Sequence, residues 1–320
     1  MTPTHWIGID IGATKILGCV LDPTGTIVYQ KTVLTPQADP RSIEDALFDM
    51  ARSLLVESND AKTVGIAVAG WIDRSRRTVL FSPLLPWSME PLAHNLSARL
   101  GLTVILENDA NAAAWGEHEF GAGQSFDDFF LVTIGSGIGA GIVTDGLLLR
   151  GAHGLAGELG HTVVDPNGPP CPCGRRGCVN ILASGRALQQ HFEELRGVGL
   201  SVSQASEAGE EDAVTGYSIT AAARAGDPIA LQAFAEVGES LGRGIADLVM
   251  CLDPAAVILG GGVAAAGELL RGPTEASLRR CLVAHESVVQ TEVLVALLGP
   301  SAGALGVAHL ASLQGGPHTT

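Results

Sequence analysis

Positive charge is scarce in this 320-residue chain: 19 Lys and Arg stand against 34 Asp and Glu, a formal net charge of −15. A field of that sign repels nucleic-acid phosphates and anionic membrane surfaces, so neither is an expected partner. An anionic substrate would need local cations or a metal ion. Aromatic residues are few, at 4%, so Val, Ile, Leu and Ala must fill the core, as in parallel strands covered by helices. Long apolar runs are also missing. The most apolar stretch, residues 129–143, is broken by Thr133, Ser136 and four glycines and is too short for a membrane span. The first residues show no basic segment followed by an apolar one, so a secretory leader is not expected and the expected location is cytoplasmic. Six unevenly placed cysteines do not read as a disulfide framework. Cys19, Cys251 and Cys281 sit singly in apolar runs and read as core thiols.

What is plentiful points to a large α/β protein. Apolar residues make up 46%, and there are 41 glycines. That excludes wholesale disorder, and the length suggests about two domains. Residues 5–33 alternate apolar runs and turn signals, which predicts a three-stranded meander. Helical periodicity follows over 41–58, then a buried strand over 63–70, a helix over 88–100, a strand over 103–108 and a helix over 110–120. A second meander is expected over 128–150, with a Gly-, Pro- and Cys-rich segment over 154–186. Residues 197–217, which carry the acidic run EAGEED, read as a solvated loop. Asp227-Pro228 is an N-cap and first-turn pair for a long helix to about Cys251. Strands over 255–259 and 291–299 and helices over 264–282 and 301–313 complete the chain. A meander followed by alternating helices and strands thus occurs twice, although the two copies do not align closely enough to prove a repeat.

Each meander has a glycine-rich turn after its first strand. Asp10, Gly12, Thr14 and Lys15 form the first; taken alone, an ordinary hairpin explains it equally well. Thr133-Ile134-Gly135-Ser136-Gly137 opens the second, where glycine recurs at every second position through Gly141. Glycine weakens a strand, so close approach by a ligand is the expected reason. It is not a dinucleotide fingerprint, because a strand follows where a helix should open. Gly260-Gly261-Gly262 forms a third such turn, for which packing is an equal explanation.

Glu107-Asn108-Asp109-Ala110-Asn111 lies where a buried strand becomes a helix, the place where open α/β sheets hold ligands. A carboxylate there, ionised beside a helix N-terminus, is suited to accept a proton from an attacking hydroxyl. Helix capping is the plainer alternative. The most specific signal is His161 followed by Cys171, Cys173 and Cys178, spaced H-x9-C-x-C-x4-C. One imidazole and three thiolates make a closed tetrahedral set for structural zinc, with no open position for catalysis. Gly174 and Gly177 supply the tight turns, and the site would orient Glu158.

Together these segments are recognisable. DIGATK, VAGWID, ENDANAAAWGEHEFGAG, TIGSGIGAGIV, GLAGELGH, CPCGRRGC, SGRAL and VILGGGV run in order over essentially the whole chain. The sequence resembles the ROK family (repressors, open reading frames and kinases), specifically its ATP-dependent bacterial glucokinases. The resemblance implies an actin-like (ribonuclease H-like) α/β sugar kinase with two α/β domains around a cleft, at 1–120 plus 300–320 and at 121–299, the latter with a zinc loop over 154–186. It implies ATP with Mg²⁺ and structural Zn²⁺ as cofactors, and a homodimer or homotetramer. Asp10, Gly12, Thr14 and Lys15, then Thr133, Gly135, Ser136 and Gly137, then Gly260, Gly261 and Gly262, correspond to the nucleotide-binding segments. Asp109 corresponds to the general base, and Gly70, Asn108, Glu158, His161 and Asn180 to the sugar site. His161, Cys171, Cys173 and Cys178 correspond to the zinc ligands. Four positions depart from the family pattern. Ala13, Ser136 and Ala140 replace the usual Gly, Thr and Gly, and Asn180 replaces a Glu that looks toward the sugar. An ionised Glu only accepts hydrogen bonds, whereas Asn also donates. The expected substrate is therefore glucose or a close analogue. The alternatives are a glucose-like C7-cyclitol ketone, an N-acetylhexosamine or, from another class, a sugar-responsive regulator. The regulators of the family carry an N-terminal DNA-binding segment, whereas here the first phosphate motif begins at residue 10.

Overall fold

The computed structural model describes residues 5–58, 60–197, 214–282 and 290–315. The first sheet is built from β1 (Trp6–Ile11), β2 (Lys15–Leu21) and β3 (Ile27–Leu34) as an antiparallel meander. After α1 (Pro40–Glu57), β4 (Thr63–Val68) pairs parallel with β1. A small antiparallel sheet follows, of β5 (Trp71–Ile72), β6 (Val79–Phe81) and β7 (Ser88–Glu90). Then come α2 (Leu92–Leu100), β8 (Thr103–Asn108), which pairs parallel with β4, and α3 (Asp109–Phe120). The second sheet begins with β9 (Phe129–Ile134), β10 (Ile138–Thr144) and β11 (Leu147–Leu148). Helices α4 (Val179–Ala183), α5 (Gly185–Leu195), α6 (Gly216–Arg224) and α7 (Pro228–Leu252) lead to β12 (Ala256–Gly260). Then α8 (Glu268–Cys281), β13 (Glu292–Val295) and α9 (Ala302–Ser312) close the described chain.

The strand orders are β3-β2-β1-β4-β8 and β11-β10-β9-β12-β13. Numbered within its own sheet, each reads 3-2-1-4-5, so the repeat that the sequence could not prove is present as topology. The turns at Gly12 and Gly135 occupy equivalent positions, each closing the hairpin after strand 1.

By internal contacts the chain forms two compact units, 1–131 with 141–157 and 300–320, and 132–140 with 158–299. Segments 121–131 and 141–157, which the sequence reading places in the larger domain, count with the first unit. Their ties explain it. A Cβ on Gly141 would stand 2.5 Å from the Ala114 side chain on α3, and Arg150 Nε donates to Glu107 at 2.8 Å. Gly141 is thus a packing glycine and not, as the alternating pattern suggests, a ligand-facing one.

In the first unit Ile7, Ile9, Ile11, Leu47, Met50 and Leu54 are buried together. Helix α9 is pressed directly onto the sheet and onto α3. A Cβ on Gly65 would lie 2.1 Å from Val307 O, and one on Gly306 1.8 Å from Ala112 O. Trp115 Nε1 on α3 donates to His309 Nδ1 on α9 at 3.0 Å, so that ring is neutral with its proton on Nε2. Burial lowers the His309 pKa from 6.5, against Glu119 at 3.5 Å and with help from nearby His118. The folded protein therefore takes up this proton less readily than the unfolded chain. The stabilisation is full above pH 6.5 and is lost as the pH falls below it. We expect His309→Gln, which keeps an acceptor for Trp115, to lose less Tm between pH 7 and 5 than the wild type; equal losses would remove His309 from the acid response.

Several local expectations are corrected. Ser88–Glu90 is a strand and not helix, because Phe81 pairs with Ser88 and Val79 with Glu90, and the helix waits for Pro91, which lacks an N–H. The last strand stops at Val295. Cys19 is buried as expected, but Cys251, in the last turn of α7, is exposed and Cys281 half-buried. Helix α6 has no counterpart in the sequence reading, and most of the 197–217 loop lies outside the described residues.

Candidate functional site

In the first unit β8 runs directly into α3, and Asn108 caps that helix: its Oδ1 accepts from Asn111 N at 3.0 Å. Its Nδ2 donates to Asp109 Oδ1 at 3.0 Å and to Gly70 O at 3.1 Å. One amide therefore starts the helix, aims Asp109 and ties down Gly70, so the capping reading and the functional reading hold together. Asp10, at the equivalent end of the neighbouring parallel strand's partner β1, is half-buried under α9, where a Cβ on Gly303 would lie 2.7 Å from its Oδ2. Burial first, then the charge of Asp109, push Asp10 up to about 7, against Lys15. A half-buried carboxyl raised by a second carboxylate is an environment that a divalent cation fits.

Glu107 departs from expectation. It is 2% exposed and faces inward. Its Oε2 lies 2.8 Å from Arg150 Nε and 3.4 Å from Arg76 Nε, and its Oε1 accepts from Asn111 Nδ2 at 3.3 Å. It braces the start of α3 instead of meeting a ligand. Burial lowers Arg76 to about 10 despite Glu107. Neither arginine stands out in the sequence: Arg76 reaches Glu107 from a turn with φ 62°, and Arg150 from 43 residues away.

The first glycine turn is tied back through its carbonyls. Gly12 O accepts from Thr35 Oγ1 at 2.8 Å and Ala13 O from Gln37 Nε2 at 2.8 Å. Because peptides are planar and trans, the N–H groups of Ala13 and Thr14 then point the other way. A Cβ on Gly12 would meet only Lys15 O, at 3.9 Å, and Gly12 has no positive φ. Packing does not require glycine there. Thr14 and Lys15 are exposed beside it.

The second unit repeats the arrangement. Gly135 N donates to Gly137 O at 2.9 Å, and Gly135 O accepts from Gly185 N at 2.8 Å, which turns the Ser136 N–H outward. A Cβ on Gly135 would meet only Gly137 O at 3.9 Å. Thr133 is half-buried on β9. The third turn is mixed. Gly261 has φ 84°, and its Cβ would stand 2.6 Å from Ile134 O, so glycine is structural there, whereas Gly262 faces open space after Gly260 ends β12. In the first two turns the tied carbonyls aim backbone N–H groups the other way, an arrangement that can hold a polyphosphate.

His161, Cys171, Cys173 and Cys178 come together with their ligand atoms all within 4.8 Å of one another. Cys173 Sγ lies 3.7 Å from Cys178 Sγ, and Cys171 Sγ 3.7 Å from His161 Nδ1. These are non-bonded thiols. The edge of a tetrahedron with Zn–S of about 2.3 Å is about 3.8 Å, so the donor set fits zinc. Gly174 and Gly177, at φ 89° and 60°, make the turns, and a Cβ on Gly177 would stand 1.6 Å from Asp165 O. His161 Nδ1 faces the thiols, which leaves Nε2 for another partner. Glu158 starts the same short turn, and its carbonyl accepts from His161 N at 3.1 Å. Asn180 follows two residues after Cys178; its Oδ1 accepts from Ile138 N at 2.7 Å.

Two sheets of one topology, with open glycine cradles, an aimed carboxylate and a His-Cys cluster, define an α/β protein of the phosphate-binding class. The sequence pattern of the ROK family matches residues 6–314, and the chain belongs to that family. It is 40% identical over 308 residues to the glucokinase of Streptomyces coelicolor, covering 95% of this chain and 96% of that one. The Thermotoga maritima glucokinase is 39% identical over 310 residues, with 95% and 96% covered. Among solved structures, the ROK family glucokinase of Streptomyces griseus in complex with glucose and AMPPNP superposes with a TM-score of 0.85 at 42% identity, covering 97% and 99%. The fold is accordingly the actin-like α/β fold. Among the described residues no helix is long and apolar enough to cross a membrane.

Proposed function

We propose that this chain is an ATP-dependent sugar kinase that phosphorylates the primary hydroxyl of glucose or a close analogue. The observation that carries the reading is Asp109, fixed by Asn108 and set beside Asp10 in one unit. Asp109 accepts the proton of the attacking hydroxyl while that oxygen bonds to the γ-phosphorus. The bond from the γ-phosphorus to the bridging oxygen breaks, and its electron pair leaves with ADP. The N–H groups of Ala13, Thr14 and Ser136 cradle the phosphates, with Lys15 nearby, and Gly260, Gly261 and Gly262 serve the nucleoside side. Asp10 would hold Mg²⁺, which supplies charge neutralisation for the triphosphate when bound.

Gly70, Asn108, Glu158, His161 and Asn180 hold the sugar hydroxyls. Zinc on His161 Nδ1 would leave the proton on Nε2, making it a donor to a hydroxyl oxygen. Asn180 has its carbonyl occupied by Ile138, so what it offers a substrate is the Nδ2 donor. A donor at that corner also accommodates a ketone, which keeps a C7-cyclitol ketone as the second reading. Initial rates with ATP against glucose, mannose, N-acetylglucosamine and a keto-cyclitol decide the substrate. We expect the highest kcat/KM on glucose. A keto-cyclitol tenfold better would reverse the order, and no turnover of any would refute the kinase.

A further inference from the structure

The backbone of Ile138, directly after the Gly135-Ser136-Gly137 turn, is gripped from two sides. Its N–H donates to Asn180 Oδ1 at 2.7 Å. Its carbonyl abuts Gly160, where a Cβ would stand only 2.3 Å away. Asn180 is itself anchored. It lies on the first turn of α4, whose N-cap is Cys178 of the thiol cluster, and Val179 N beside it donates to Thr162 O at 3.0 Å. Asn180 Oδ1 also stands 3.0 Å from the Cβ position of Gly137, so it touches the turn as well as the residue after it. The other end of the turn is held by the Gly185 N–H on Gly135 O, at 2.8 Å.

A turn of two glycines around one serine has wide backbone freedom. Left free, it would be ordered only when phosphate arrives, and that ordering subtracts from affinity. We propose that Asn180 is a positioning residue for this turn: through Ile138 it fixes the turn in its nucleotide-ready form before any sugar is bound. The inference rests on reading residues 135–137 as a phosphate cradle, and it gives Asn180 a second task besides the sugar corner.

The test is calorimetric binding of Mg²⁺·AMPPNP to the full-length protein without sugar, which takes the sugar corner out of the measurement. Asn180→Ala should weaken binding about five- to tenfold, the range of one hydrogen bond, with zinc content and Tm close to wild type. Gly137→Ala, whose methyl would crowd Asn180 Oδ1, should weaken binding similarly. The double variant should be no weaker than the worse single one, because both act on one contact. Gly135→Val, whose side chain enters open space, should abolish binding. If Gly135→Val abolishes binding while Asn180→Ala leaves it within twofold of wild type, Asn180 does not position the turn. Additive losses in the double variant overturn the proposal as well, and unchanged binding in Gly135→Val refutes the phosphate cradle itself. Should Asn180→Ala not fold, Gly137→Ala alone decides: binding within twofold of wild type overturns the proposal.

Discussion

Asp109→Asn should lower kcat by about 10²-fold or more, a loss typical of removing a general base. The geometry makes this a clean substitution. Asn108 Nδ2 donates to Asp109 Oδ1 at 3.0 Å, and an Asn side chain presents an oxygen at the same place to receive that bond. The cap on Asn111 N is made by Asn108 and not by residue 109, so α3 keeps its start. Glu107, with Arg76 and Arg150, braces the same helix from below and is untouched. What disappears is the ability to take up a proton. The sugar Kd should stay near wild type while the chemical step slows. Single-turnover rates at saturating ATP and sugar provide the measurement, and a near-wild-type rate with chemistry limiting would remove Asp109 from the role.

Much of this arrangement is legible in the residues, for physical reasons. Strand-to-helix junctions such as Glu107–Asn111 announce themselves because a buried apolar run must end in polar groups that cap the helix. The His-Cys spacing is legible because four ligands on a short loop have few other uses. Topology was half-legible: the meanders show in turn chemistry, but the shared 3-2-1-4-5 order appears only once strands pair, since β12 joins β9 across more than a hundred residues. Side-chain direction was the least legible. Glu107 and Asp109 look alike in sequence, yet Glu107 faces two arginines while Asp109 receives a hydrogen bond from Asn108. Gly12 and Gly141 look alike too, yet only Gly141 is demanded by packing. Asn180 could be placed near the zinc loop by counting residues, but its bond to Ile138 spans 42 positions.

The purified protein should carry about one zinc per chain, and Cys173→Ser should lose it together with much of the second unit's stability. The segment that holds the ligands has no helix or strand of its own to order it. Between His161 and α4 the described backbone makes isolated bridges, Val163 to Cys178 and Pro170 to Arg176, and turn hydrogen bonds such as Gly177 N to Pro169 O at 2.8 Å. Structural zinc contributes about 10–16 kcal/mol to peptides that fold only around it. Here the rest of the unit shares the task, so the loss should be smaller; even ~3 kcal/mol would lower Tm by roughly 6–12 °C in a unit of this size. The thiols set the pH dependence. Burial, with its thiol neighbours, pushes Cys178 up to about 12, while the Arg175 backbone N–H lowers Cys173. Metal binding must displace protons from such thiols, so a chelator should strip zinc more readily as the pH falls. Because Asn180 and His161 hang on the same loop, the stripped protein should also lose sugar and nucleotide affinity together. A metal-free preparation with unchanged Tm and unchanged turnover would show that the cluster is not a metal site.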